Sequence, residues 1–183
     1  MAEISDIILF SDFAGIEKTA KALGFDSSAI AVAANSREDA ERVRNAGFKV
    51  CKIIEKRDSR ELKRWRNWAD IVAVRGGSPE MNKFGVSKGV DFLLAPCGTA
   101  RSPFDTQTAQ SAKDAGVSVA LPFSELLNMD KYRRAMLLKN YFMAVKICKK
   151  KKLPFAVFSC ALRADEMRMP ENMRAIARLL GYA

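Results

Sequence analysis

The sequence contains no histidine, which removes the side chain used most often as a general base and as a transition-metal ligand. The chain has four cysteines, Cys51, Cys97, Cys148 and Cys160, which lie far apart, and no pair has the close spacing typical of a zinc site. We therefore expect reduced thiols that fill the core, as in a cytoplasmic protein. No apolar run approaches the roughly 20 residues that a spanning helix needs, so no membrane partner is expected. The N-terminal residues also lack the basic region of a signal peptide.

Positive charge is concentrated in two segments of a chain whose net charge is +10. Residues 130–152 carry nine basic residues and one acid, and residues 52–66 carry seven basic residues and three acids. The remainder of the chain sums to −2. Two concentrated basic elements on a nearly neutral body are typical of a protein that binds a polyanion.

Short apolar runs rich in Ile, Val and Phe alternate with amphipathic segments. They predict strands at Ile4–Phe10, Ala29–Ala33, Lys49–Ile54, Ile71–Val74, Asp91–Ala95, Val117–Leu121 and Phe155–Phe158. Helices are predicted between them at Gly15–Leu23, Arg37–Ala46, Arg60–Trp68, Pro79–Ser87, Asp105–Ala115, Asp130–Lys152 and Glu171–Leu180. Repeated β-then-α units with wholly apolar strands indicate an α/β fold, a parallel sheet covered by helices.

The length of 183 residues favours one domain spanning residues 1–183. The pattern alone leaves the architecture open between an open, doubly wound sheet and a (β/α) barrel. Typical barrels run to about 250 residues, and here seven strands are clear whereas an eighth is not. In either architecture, functional residues lie at the C-terminal ends of the strands.

Two strand-to-helix turns place an arginine at that edge. In Ala73–Glu80, a strand ends before Arg75, two glycines follow, and Ser78 and Pro79 have the pattern of a helix start. Backbone N–H groups at such a start favour an anion, and the arginine fork suits phosphate oxygens. The second turn, residues 96–103, offers Arg101 for the same role. The turn at Arg75 is equally compatible with a tight strand-to-helix connection that carries a surface arginine.

The segment from Asp130 to Lys152 predicts a long helix with one buried face, formed by Met136, Leu137, Tyr141, Val145 and Cys148. The basic residues of the segment must then crowd the outer surface, and four consecutive lysines exceed what the helix dipole requires. We expect phosphate contacts from Arg133, Arg134, Lys149, Lys150, Lys151 and Lys152. Trp65 and Trp68 share a helical face, which favours core packing over a base-stacking platform.

Several segments together resemble archaeal ribonuclease P protein component 3 and its eukaryotic relative, the thirty-kilodalton subunit. The matching stretches are Ala69–Gly77, Val90–Pro96, Val117–Leu127, the basic helix from Tyr132 to Lys152, and Phe158–Gly181. The resemblance covers most of the chain from about residue 69, and its specificity lies in the order and spacing of the segments. It implies a compact TIM-like barrel related to PHP-type phosphoesterases, which decides between the two architectures.

The relatives of that fold that are enzymes carry histidine metal ligands after the first strand. Residues 10–13 of this chain, Phe-Ser-Asp-Phe, contain no histidine, so the metal-dependent catalytic site of those enzymes is not expected here. In ribonuclease P the RNA performs the cleavage and the proteins support it. The resemblance implies ribonuclease P RNA, precursor tRNA and ribonuclease P protein component 2 as partners.

We therefore predict an RNA-binding ribonuclease P subunit that supports removal of the 5′ leader from precursor tRNA. No catalytic residue, metal ligand or cofactor is expected in the protein. Arg163 and Arg168, within the last matching stretch, join the predicted RNA contacts. The alternative is a free-standing metal-dependent phosphoesterase, in which Asp12, Glu55 and Glu125 hold magnesium.

Overall fold

Seven parallel strands form one sheet that curls into a nearly closed barrel. A computed structural model describes residues 4–99 and 102–182. The strands are β1 (Asp6–Ile8), β2 (Ile30–Ala33), β3 (Lys49–Ile54), β4 (Ile71–Arg75), β5 (Phe92–Leu94), β6 (Ser118–Pro122) and β7 (Phe155–Phe158). They lie side by side in chain order, and every neighbouring pair is parallel. The barrel prediction is confirmed, although β1 and β5 are shorter than the sequence indicates.

Helices connect consecutive strands and cover the outside of the barrel. They are α1 (Phe13–Ala22), α2 (Arg37–Asn45), α3 (Ser59–Trp65), α4 (Pro79–Ser87), α5 (Thr106–Asp114), α6 (Ser124–Leu127), α7 (Lys131–Lys151) and α8 (Pro170–Leu179). The helix starts follow the sequence signals: Ser36 and Ser78 accept hydrogen bonds from the third backbone N–H of their helices. The four-residue helix α6 has too few residues to show a period, and the sequence did not predict it.

The gap between β7 and β1 closes without an eighth strand among residues 4–99 and 102–182. Ile8 forms an isolated parallel bridge with Ala161, and the Leu9 N–H donates to the Ala161 carbonyl at 2.8 Å. The buried carboxylate of Asp6 accepts from the Ser159 N–H in the same gap. The segment that follows β7 therefore closes the barrel against β1.

Successive side chains of each strand point to opposite faces of the sheet, so the apolar side chains form two separate regions. One set of side chains fills the barrel interior, among them Ile7, Cys51, Phe92 and Phe158. The opposite set, larger, packs between the sheet and the helices. Within β4, Arg75 has the same parity as the interior residues Ile71 and Ala73, which sets it at the barrel mouth where the strands end.

Candidate nucleic-acid interface

Arg75 forms an ion pair with Glu125 at the mouth of the barrel. A guanidinium N–H of Arg75 donates to the Glu125 carboxylate, whose other oxygen accepts from the Tyr141 hydroxyl at 3.3 Å. Burial raises the pKa of Glu125, while the Arg75 charge and the Tyr141 hydroxyl act in the opposite direction. The Arg75 side chain keeps 37% exposure, so it meets solvent as well as its carboxylate partner.

The glycine turn after Arg75 is held by the fully buried Asn82 of α4. The Asn82 side-chain amide donates to the Pro96 carbonyl at 2.9 Å and accepts from the Gly77 N–H at 3.2 Å. A Cβ on Gly76 would lie 2.8 Å from the Pro96 Cα, so only glycine fits between these two loops. Ala95 adopts a positive φ of 50°, a strained conformation of the kind that concentrates at functional sites. The loops after β4 and β5 are therefore fixed to one another.

The loop after β5 carries the second arginine predicted from a strand-to-helix turn. Asn140 of α7 donates to the Gly98 carbonyl at 2.6 Å and anchors the described part of this loop. Arg101 lies outside the described residues.

Arg163 and Arg168 follow β7 and belong to the same end of the barrel as Arg75. The Arg163 guanidinium makes two hydrogen bonds of 3.0 Å to the Asp165 carboxylate, which raise the pKa of Arg163. Arg168 donates to the backbone carbonyls of Asp165 and Met167 at 2.7 and 2.8 Å. Both side chains thus already have acceptors within the chain, and Arg163 remains 69% exposed.

The start of α7 also lies at the mouth, because α7 follows β6 and α6. Asp130 caps the helix by accepting from the Arg133 N–H at 3.0 Å, and its carboxylate lies 3.5 Å from the Arg133 guanidinium. Arg134 donates to the Met129 carbonyl at 2.8 Å. Arg133 and Arg134 are both exposed at the surface.

The lysine cluster, residues 149–152, lies at the opposite end of the barrel. α7 has 21 residues, so at about 1.5 Å per residue its two ends are about 30 Å apart. Lys149 donates to the Gly181 carbonyl at 3.2 Å, and Lys152 ends the helix with a φ of 52°. Lys150 and Lys152 are exposed and Lys151 is partly buried. The predicted contacts therefore form two groups, one at each end of the barrel.

The buried face of α7 is largely the predicted one. Leu137, Tyr141, Val145 and Cys148 are buried, whereas Met136 is only partly buried. The opposite face has an apolar component that the sequence analysis missed: Tyr132, Phe142 and Met143 are 75%, 50% and 51% exposed. The helical period could have predicted their exposure from the sequence, because these residues lie outside the buried face of α7.

The two tryptophans do not form an open stacking platform. Trp65 is 2% exposed, and Trp68 packs edge-on against it with ring centroids 5.7 Å apart. The guanidinium groups of Arg37 and Arg64 lie 5.7 and 5.9 Å from the Trp68 ring centroid. The core prediction is confirmed for Trp65, and Trp68 is partly buried beside arginines.

The carboxylates of the alternative magnesium site do not come together. The Asp12 carboxylate caps α1 by accepting from the Gly15 N–H at 3.1 Å, and Glu125 is paired with Arg75. Within residues 4–99 and 102–182, no group of three or more acidic or thiol side chains is placed to hold a metal ion. In the same part of the chain, no helix is long and apolar enough to cross a membrane.

Comparison with known proteins gives a consistent match. The model of the family described as RNase P subunit p30 matches residues 12–183. Ribonuclease P protein component 3 of Thermococcus kodakarensis is 29% identical over 149 residues, which span 79% of this chain and 67% of that protein. The protein of the same name from Methanocaldococcus jannaschii is 29% identical over 74% of this chain and 59% of its own length.

A solved structure has the same fold. A chain in the cryo-EM structure of archaeal ribonuclease P with mature tRNA superposes with a TM-score of 0.82 and 24% identity. The match covers 96% of this chain and 82% of that chain. The superposition establishes the fold over nearly the whole chain.

Proposed function

The chain belongs to the RNase P subunit p30 family, and on that premise we propose that it is an RNA-binding protein subunit of ribonuclease P. In this role it supports RNA-catalysed removal of the 5′ leader from precursor tRNA. The observation that carries the proposal is the family match over residues 12–183. The net charge of +10 supports it independently, because a phosphate backbone is the natural partner of so basic a chain.

The proposed RNA contacts use the two ends of the barrel. Arg75, Arg133, Arg134, Arg163 and Arg168 serve at the mouth. Arg101, which lies outside the described residues, is proposed as a further contact. Lys149, Lys150, Lys151 and Lys152 serve at the opposite end. An arginine already held by a carboxylate, as Arg75 is by Glu125, is oriented before RNA arrives. That orientation favours a defined contact over a diffuse one, because less side-chain entropy is lost on binding.

Cleavage of the phosphodiester is assigned to the RNA component. Asp12 and Glu125 are engaged in a helix cap and an ion pair, which does not favour the magnesium-dependent phosphoesterase alternative. The protein contributes positive charge near the RNA backbone and so offsets the repulsion that opposes a compact RNA fold.

The partners proposed for the chain are ribonuclease P RNA, precursor tRNA within the holoenzyme, and ribonuclease P protein component 2. The exposed apolar side chains Tyr132, Phe142 and Met143 support a protein contact beside the RNA contacts. The four cysteines are free and buried, which is consistent with the proposed cytoplasmic location.

Reconstitution tests the proposal. Ribonuclease P RNA is assembled with its protein subunits with and without this chain, and release of the 5′ leader from precursor tRNA is measured. We expect leader release to fall when the chain is omitted and to return when it is added. The chain alone should leave precursor tRNA intact. Unchanged leader release on omission, or cleavage by the chain alone, would contradict the proposal.

A further inference from the structure

The groove between α3 and α4 is a basic surface that contains none of the predicted RNA contacts. It has a volume of about 600 Å³. Its charged and hydroxyl-bearing lining consists of Arg57, Ser59, Glu80, Lys83, Ser87 and Lys88. Three cations against one acid give this lining a net charge of +2. Arg57 belongs to the second basic segment of the sequence, whose charge the proposed contacts do not use.

The walls of the groove are fixed in position by contacts outside it. Arg66, just after α3, donates to the carbonyls of Lys88 and Gly89 at the end of α4, the latter at 2.8 Å. Phe84 of α4 is buried and forms part of the groove lining. The groove therefore exists before any ligand binds, which reduces the conformational cost of binding.

The cations of the groove are more available than those at the barrel mouth. Among the described residues, no ion pair within 4.0 Å involves Arg57, Lys83 or Lys88, whereas Arg75 and Arg163 are both paired with carboxylates. All three groove cations are exposed. Glu80 lines the same groove and interacts electrostatically with Arg57, so Lys83 and Lys88 are the groove cations that an anion meets without a competing carboxylate.

The groove is separate from the lysine cluster at the end of α7. α5 packs between α4 and α7 and carries only one cation, Lys113, with Asp114 beside it and Asp105 as its cap. The groove begins near the mouth, at Arg57 and the start of α4, and continues to Lys88 just after α4 ends. Lys83 and Lys88 are about 7.5 Å apart along the helix axis and about 140° apart around it, so an extended polyanion reaches both more readily than one small anion does.

We propose that the α3–α4 groove binds the phosphate backbone of a single RNA strand and carries it from the mouth down the side of the barrel. The proposal rests on the proposed RNA-binding function and adds a site to it. Lys83 and Lys88 contact phosphates, Arg57 receives the strand at the rim, and Arg66 positions the walls.

Crosslinking locates the strand directly. Ser87 is exposed in the groove and Ala22 is exposed on α1, away from the groove, so Ser87→Cys and Ala22→Cys form a pair for attachment of a photoreactive group. The four native cysteines are buried, which directs the label to the introduced thiol. With a fluorescein-labelled single-stranded RNA as probe, we expect several-fold more crosslinking from position 87 than from position 22. Equal crosslinking from the two positions would overturn the proposal.

Charge reversal measures the contribution of the groove to affinity. Lys83→Glu/Lys88→Glu should weaken binding of the same RNA about tenfold at low salt and reduce the salt slope by about 1.4. Lys18→Glu/Lys113→Glu, which changes the net charge by the same amount at exposed positions outside the groove, is the control, and thermal unfolding verifies that each variant folds. If the groove variant and the control bind alike, the groove proposal fails while the subunit role stands. If the wild-type chain binds no RNA, the proposed function fails too.

Discussion

The carboxylate of Asp6 accepts a hydrogen bond of 2.6 Å from the backbone N–H of Ser159, across the gap between the first and last strands. The Ser159 hydroxyl donates to the other oxygen of Asp6, and the Ile7 N–H donates at 2.9 Å. This side chain thereby supplies a connection that strand pairing does not provide at this point. A barrel of seven strands closes with the help of one buried acid.

We expect Asp6→Asn to flatten the pH dependence of stability. Burial raises the pKa of Asp6 from its ordinary 3.8 to about 7. The folded state therefore binds the Asp6 proton more tightly than the unfolded state does. The stability that this tighter binding contributes is fully present below about pH 4 and is lost as the pH rises through about 7. The asparagine side chain is uncharged at every pH, as the protonated carboxyl group is. The variant should gain about 1.4 kcal/mol per pH unit on the wild type within that window, as measured by urea unfolding at stepped pH.

Asp6→Ala distinguishes the contribution of the Asp6 hydrogen bonds to stability from that of its charge. It leaves the Ser159 N–H and hydroxyl in the gap without the carboxylate, and we expect a loss of about 1–3 kcal/mol in the free energy of unfolding. Equal stability of the asparagine and alanine variants at low pH would show that Asp6 does not fasten the gap.

Arg75→Ala should destabilise the protein as well as weaken RNA binding. It leaves the partly buried Glu125 carboxylate without its counter-charge, and because both side chains keep some exposure the cost should be about 1–2 kcal/mol. The loss should grow as the pH rises, since the pKa of Glu125 is already raised by burial and the uncompensated charge forms only above it. Denaturant unfolding and RNA titration measure the two effects separately.

Arg75→Ala/Glu125→Gln is the matched control. Neutralising the carboxylate should restore most of the free energy of unfolding, while RNA affinity stays low because the cation is still missing. If the double variant recovers RNA affinity, Arg75 acts only through the conformation of the mouth and contacts no phosphate.

The sequence pattern predicted the strands more fully than it predicted the site, and the family resemblance selected the barrel. Short apolar runs and the glycines that end helices are local sequence signals, so the seven strands could be located from the sequence. The Arg75–Glu125 pair joins residues 50 positions apart, and no local pattern reports such a contact. The separation of the lysine cluster from the mouth follows from the direction of α7, and the predicted parallel sheet already implied it, because a helix that connects two parallel strands runs from one end of the barrel to the other.

The four cysteines should resist thiol reagents in the folded protein. Burial raises the pKa of Cys51 and Cys148 to about 12 and that of Cys97 to about 11, and it raises the pKa of Cys160 as well. A buried thiol with a raised pKa forms little of the reactive thiolate. We expect slow colour development with a disulfide reagent near pH 8 and a fast reaction of all four thiols in denaturant. Rapid reaction of the folded chain would show that the barrel opens.

Lys152→Gly should raise stability and lower RNA affinity together. Lys152 ends α7 with a φ of 52°, in the left-handed region that glycine adopts without steric cost. Relief of that strain should stabilise the chain by about 0.5–1 kcal/mol. The loss of an exposed cation from the lysine cluster should weaken RNA binding and reduce the salt slope by about 0.7–0.9.

Lys150→Ala distinguishes the two effects, because Lys150 is exposed within α7 and has no left-handed backbone to relieve. It should match Lys152→Gly in the loss of RNA affinity and show no gain in stability. The comparison uses denaturant unfolding together with RNA titration at several salt concentrations. If neither variant alters the salt slope, the lysine cluster does not contact RNA, and the polyanion surface of this chain is confined to the barrel mouth and its flank.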